Sequence, residues 1–217
     1  MIRYARSLRA LAVCLSLLAG YVDAIGFMAL GGFFVSFMSG NSTRLSVGLA
    51  HHSHDAWVAG GLIGAFVIGV MFGSAVGRCA SRRRTMTILA LVALLLASGG
   101  SLAALGARTA ALALVAMAMG AENTVFERDG EVSIGVTYMT GTLVKLGQRA
   151  TGALFGEDPT GWLPYLWLWL GLVCGAVLGA ACYPRLGLQA LWPAAAAALA
   201  LALASARLEA AEAASNP

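Results

Sequence analysis

Charge is what this chain has least of. Only 11% of its 217 residues are Asp, Glu, Lys or Arg, against 59% hydrophobic. A soluble domain carries about 25% charged residues, so the shortage excludes a water-soluble fold. Long polar stretches are missing too: the longest, such as Arg82-Arg83-Arg84 and 127–131, run to a few residues. That leaves no room for an extramembrane domain of ~50 residues. Cysteines are few and scattered: Cys14, Cys79, Cys174 and Cys182 show no CxxC spacing, which argues against a zinc site or a disulfide framework. Also absent are the G-x-S-x-G, HExxH, Walker and Rossmann patterns, and no nucleophile, base and orienter assemble. The chain is therefore read as a non-enzyme without metal or other cofactor. The net charge of +4 reflects arginines too few and too close to apolar segments to form a nucleic-acid surface, so no nucleic-acid partner is expected.

What is present is apolar sequence in long blocks. Segments such as 85–105 and 162–183 reach the ~20 residues a spanning helix needs. The lipid bilayer is then the first partner, and residues 1–217 read as one polytopic membrane domain. The first 20 residues, with Arg3, Arg6 and Arg9 before an apolar run, look like a secretory signal. No small-residue cleavage site closes the run, so it is read as a retained first span.

The chain repeats itself at an offset of 100 to 102 residues. Ser36-Phe37-Met38-Ser39-Gly40 aligns with Thr137-Tyr138-Met139-Thr140-Gly141, and Arg44-Leu45 with Lys145-Leu146. Gly20 and Asp23 align with Gly120 and Asn123; Gly69, Gly73 and Gly77 align with Gly171, Gly175 and Gly179. Each half (about 8–105 and 109–206, before a short polar tail 207–217) holds four apolar segments. They are 8–30, 32–50, 56–77 and 85–105, then 109–126, 132–154, 162–182 and 188–204. The second of each set is unusual, since a lipid-facing helix would seldom carry Ser39-Gly40-Asn41-Ser42-Thr43-Arg44 or Thr140-Gly141-Thr142 followed by Lys145.

Charge counting settles what these segments are expected to do. If all eight cross, Arg3, Arg6, Arg9, Arg108 and Arg207 share one side, and Arg78, Arg82, Arg83, Arg84, Arg128 and Arg185 the other, five against six. Cytoplasmic loops carry an excess of Lys and Arg, and neither orientation gives one. If the second segment of each half dips in and returns, only Arg108 and Arg185 stay outside, two against nine. The same count arises if the second segment crosses and the first is incomplete. The expected fold is thus all-α: about six transmembrane helices plus two interrupted or re-entrant elements, in a 3+3 inverted repeat with both termini cytoplasmic. Transporters of this build place their substrate near the midplane, between interrupted helices.

Gly20-Tyr21-Val22-Asp23-Ala24, followed by Phe33-Phe34-Val35-Ser36-Phe37-Met38-Ser39-Gly40-Asn41-Ser42-Thr43-Arg44, resembles the YoaK-like family of small bacterial membrane proteins (domain of unknown function 1275). Tyr138-Met139-Thr140-Gly141 with Lys145 fits as well, and the resemblance covers nearly the whole chain. It implies about six spans, a bacterial source and a place in the cell (inner) membrane. It implies no activity.

The candidate site residues follow from the interrupted segments. A half-helix starting near Gly40 would offer unpaired amides and a positive dipole end, with Ser39, Asn41, Ser42, Thr43 and Arg44 around it. The second half would contribute Thr140, Gly141, Thr142 and Lys145. Two cations facing one cavity suit a carboxylate or inorganic anion. The bland alternative has Ser39 and Asn41 as caps and Arg44 snorkelling to an interface. Asp23, Glu122 and Asn123 would pair with those cations or carry a coupling proton; a static ion pair is the alternative. The glycine runs would pack the halves together or form a homodimer. His51, His52, His54 and Asp55 read as a wet loop rather than a metal site. The function expected is a small secondary transporter or channel-like permease for a small anionic or polar solute; a scaffold or sensor is the alternative.

Overall fold

The computed structural model describes residues 6–80, 83–128 and 131–215; Arg3 and Arg82 of the charge count lie outside them. The helices are α1 (Arg6–Ala29), α2 (Met38–Ala50), α3 (Asp55–Cys79), α4 (Arg84–Ala104), α5 (Arg108–Glu122), α6 (Met139–Leu154), α7 (Leu163–Leu186) and α8 (Leu191–Ser215). A short antiparallel hairpin of β1 (Glu127–Arg128) and β2 (Glu131–Val132) precedes α6, a small departure from the expected all-α chain. The expected polar tail from 207 is part of α8, because Ala, Leu and Glu dominate there and nothing before Pro217 breaks a helix.

Among the described residues four helical stretches are long and apolar enough to cross a membrane: Ser7–Ala29, Asp55–Cys79, Arg84–Ala104 and Leu163–Arg207. The last runs through α7, a 3-10 turn at Gly187–Ala190 and into α8. Many large apolar side chains point outward, Trp57 at 80% and Leu154 at 86% exposure among them. In water such a surface would aggregate; against lipid it needs no cover. This is a multi-pass membrane protein.

The segments expected at 32–50 and 132–154 are only partly helical. α1 stops where Gly31 and Gly32 take φ of 66° and 105°, a region that favours glycine. Residues 30–37 are irregular, and α2 has 13 residues. α5 likewise ends at Glu122, short of the expected 126, and α6 begins only at Met139 with 16 residues. At 1.5 Å per residue, α2 and α6 reach about 20 and 24 Å, less than the ~30 Å hydrocarbon core.

Glycine sets which helices touch. α1 and α7 run parallel: Gly171 lies against Val13, Gly175 against Leu17 and Gly179 against Tyr21, while Gly20 faces the Leu172 carbonyl. α3 and α5 run parallel in the same manner, with Gly69 against Met117, Gly73 against Ala121, and Gly120 facing the Phe66 carbonyl. A Cβ on most of these glycines would strike backbone. The packing matches Gly69 with Gly175 and Gly73 with Gly179, an offset of 106 rather than the 102 read from the sequence. The extra residues lie in α6 and the following 155–162 link, longer than α2 and the 51–54 link, so the register slips by one helical turn. These glycines pack the helices of one chain together, the first of the two uses expected of them.

The ends of the bundle are distinct. Leu11 and Leu15 of α1 share a buried cluster with Ile88 and Leu89 of α4 and Ala202 of α8. At the opposite end Arg108 donates to the Ala29 carbonyl, and the Tyr21 hydroxyl donates to the Ala190 carbonyl at 3.0 Å. The first turn of α1 and the last turns of α8 therefore share one end, with Arg84, while Arg108 lies at the other.

Candidate functional site

Two returning links build the site. In the first, Asp23 sits six residues before the end of α1, and one oxygen accepts the backbone N–H of Val35 and of Ser36, both at 2.8 Å. The link has thus doubled back along α1. Asn41, fully buried, locks it from α2: its side chain accepts from the Phe34 amide at 3.0 Å and donates to the Phe34 carbonyl at 2.6 Å. Backbone groups that leave a helix inside a membrane must find such partners.

The second link repeats the device with other groups. Asn123 donates to the Met119 carbonyl and accepts from the Thr137 hydroxyl, each at 2.9 Å. Ser16 of α1 donates to the carbonyls of Val136 and Leu168, at 3.2 and 2.9 Å. Below the link, Glu127 accepts from Ser74 at 2.8 Å and from Arg84 at 2.9 Å. Burial pushes the Glu127 carboxyl pKa up, but the Ser74 hydrogen bond and the Arg84 charge outweigh it and hold it below the ordinary value.

The links bring the two repeated stretches to one place. Ser36, Phe37, Met38 and Ser39 meet Thr137, Tyr138, Met139, Thr140 and Gly141 around a cavity of about 330 Å³, closed on one side by Phe66 of α3. Both α2 and α6 begin here. Their N-cap positions hold Phe37 and Tyr138, which make no capping hydrogen bond. Ser, Thr, Asp or Asn would normally cap such ends. Among the described residues nothing accepts from the amides of Ser39, Gly40, Thr140 or Gly141. Two uncapped helix starts therefore share a cavity edged with hydroxyls.

Only part of the expected site lines it. Ser39, Thr140 and Gly141 do; Gly40 packs under Phe34 and Phe37. Asn41 is a clamp, Thr142 is buried, and Ser42 and Thr43 turn their hydroxyls back to the carbonyls of Met38 and Ser39. Arg44 lies over the Phe33 ring, 4.6 Å from its centroid, and reaches Gly32. Lys145 is exposed on α6. Each cation stands six residues into its helix, about 9 Å beyond the cavity. Asp23 meets backbone rather than a cation, and the ion pair formed among the described residues is Arg84–Glu127. Glu122 is fully buried, and among the described residues neither carboxyl oxygen has a partner. Val22 holds the matching position in α1, also fully buried.

Reasoning from charged and capping residues passes over Ser36, Phe37, Met38, Thr137, Tyr138, Met139 and Phe66. Six of the seven belong to the repeated stretches, so recurrence of a motif was the available signal. Phe66 carried none.

Comparison with known proteins adds three findings. Residues 11–204 match the family model described as "Protein of unknown function (DUF1275)". A UPF0700 transmembrane protein of Rhizobium meliloti (strain 1021) is 38% identical over 203 residues, covering 90% of this chain and 85% of the relative. No solved structure matches the chain.

Proposed function

The chain belongs to the DUF1275 family of membrane proteins, whose description carries no function, and on that premise we propose that it is a small permease for a small anionic or polar solute. The observation that carries the reading is the cavity where the matching stretches 36–39 and 137–141 meet. Unpaired amides at two helix starts present partial positive charge without a full cation. Ser39 and Thr140 add hydroxyls that hydrogen-bond an anion or a neutral polar group. Arg44 and Lys145 attract the solute at the two approaches rather than holding it.

The arrangement behind this is a 3+3 inverted repeat. Support comes from the matched contacts, α1 on α7 and α3 on α5, and from the clamps Asp23–Ser36 and Asn123–Thr137 at offsets of 100 and 101. In this reading α2 and α6 are re-entrant half-helices entering from opposite sides. The positive-inside rule then puts the arginine-rich end, with both termini, in the cytoplasm, and the bacterial inner membrane is the site of action. Glu122 serves as the coupling group, because an unpaired carboxyl inside a membrane protein is costly unless it has a task.

Reconstitution tests this. Proteoliposomes should take up small inorganic anions or carboxylates with saturable rates. Ser39→Ala combined with Thr140→Ala should lower flux about tenfold or more, a loss of ~1.4 kcal/mol or more. Arg44→Ala and Lys145→Ala should mainly raise the half-saturating concentration. Glu122→Gln should leave downhill exchange intact and remove accumulation driven by a pH gradient. A folded double variant transporting at the wild-type rate would overturn the cavity assignment and favour a scaffold or sensor, which needs no such cavity.

A further inference from the structure

A lane runs along α1. At its mouth, Arg9, Ala10, Val13 and Cys14 of α1 face Leu163, Pro164 and Trp167 of α7, with Thr160 beside them, around a groove of about 590 Å³. Packing produces it. Gly171, Gly175 and Gly179 draw α7 onto α1, while the bulky Leu163, Pro164 and Trp167 hold their first turns apart. Next to the groove, a cleft of about 420 Å³ opens between α1 and α8, lined by Leu17, Leu18, Tyr21, Pro193 and Ala197 among others. Cys14 borders both parts.

The α4–α5 pair, which matches α1–α8 in sequence, packs closely at Gly99. There Gly99 lies against the Ala111 carbonyl and the Val115 side chain, and the helices close on each other. The residue matching Arg9 at an offset of 100 is Thr109. The cation is thus peculiar to one half.

Among the described residues the buried Arg9 Nε has no hydrogen-bond partner, and the guanidinium forms no ion pair. Asp158, in the link before Thr160, already accepts from the Thr160 amide and hydroxyl at 2.9 Å each. From Arg9 to Tyr21 the lane spans about 18 Å of helix, close to the ~15 Å hydrocarbon depth of one leaflet. One cation at the membrane surface above an apolar lane one leaflet deep matches one kind of molecule.

We propose that this lane binds a single anionic phospholipid from the leaflet at the N-terminal end of α1, its phosphate on the Arg9 guanidinium and an acyl chain along α1 toward Tyr21. A guanidinium suits phosphate by charge and by its planar fork of donors. Trp167, largely exposed on α7, lies where indoles favour the headgroup region. The proposal is independent of the permease reading.

The test uses full-length protein in detergent, titrated with dioleoyl phosphatidylglycerol, dioleoyl phosphatidylcholine or glycerol phosphate, and followed by melting temperature and native mass spectrometry. Phosphatidylglycerol should raise the melting temperature and stay bound as one adduct. Phosphatidylcholine should do so on the order of fivefold more weakly, and glycerol phosphate should have no effect. Arg9→Ala should lose the phosphatidylglycerol preference, Arg9→Lys should keep part of it, and Arg185→Ala, at the other end, should keep all of it. Ala197→Trp, which fills the cleft without touching Arg9, should also weaken retention. Equal response to the two lipids, wild-type retention in Arg9→Ala or in Ala197→Trp, or a full response to glycerol phosphate would each overturn the proposal. If Arg9→Ala cannot be purified, Arg9→Lys and Ala197→Trp decide it.

Discussion

Asp23 illustrates how one polar atom holds irregular backbone inside a membrane. Its carboxylate oxygen takes two amides that the end of α1 leaves without helical partners. Asn123 holds the second link through a neutral amide, so the clamp requires an acceptor and not a charge. Asp23→Ala should therefore cost about 1–3 kcal/mol per amide left unpaired, seen as a lower melting temperature in detergent. Asp23→Asn should melt close to wild type. Equal loss in both variants would refute the clamp, and a transport defect in Asp23→Asn at a wild-type melting temperature would show that the charge itself acts in the cycle. Sequence reasoning singled out Asp23, Asn41 and Asn123 as polar groups inside apolar segments. It could not say that their partners were backbone amides and carbonyls, because every residue carries those and no sequence pattern marks which are unpaired.

At the level of helices, glycine spacing decides neighbours. Gly175 admits the Leu17 carbonyl so closely that any Cβ would collide with backbone, which cannot move as a side-chain tip can. Gly175→Ala should separate α1 from α7 and lower stability by about 1–3 kcal/mol. Gly64→Ala, also on a spanning helix but facing open space, should be neutral or slightly stabilising through helix propensity. Melting temperatures of the two variants check this, and similar losses in both would mean that propensity and not close approach governs the pair. The one-turn slip between the halves belongs to this scale as well. A four-residue shift keeps a helix face nearly unchanged, so a GxxxGxxxG run aligns almost equally well in either register. Only contact with the partner helix distinguishes them.

For the molecule as a whole, the arrangement of its ends is the testable matter. The Arg84 end lies with the first turn of α1, and Arg108 lies opposite. If the halves are inverted as proposed, the links after α2 and α6 face opposite sides. With the native cysteines replaced by alanine, a cysteine at His52 should react with a membrane-impermeant maleimide added outside cells. A cysteine at Gly156 should react only after the membrane is opened. Labelling of both from one side would reject the inverted arrangement.

Composition and the length of apolar runs determined by themselves that this protein lives in a bilayer, since transfer of apolar side chains out of water is a sum over residues and needs no geometry. Repetition of the Met38-Ser39-Gly40 and Met139-Thr140-Gly141 stretches likewise marked where helices would be interrupted. The tertiary structure alone decided that Phe37 and Tyr138 leave two helix starts uncapped beside one cavity, that Arg44 and Lys145 stand back from it, and that a groove opens between the first turns of α1 and α7. Those features depend on which backbone groups lack partners and on how closely helices approach. Both are properties of pairs of segments far apart in the chain, which no single stretch of sequence carries.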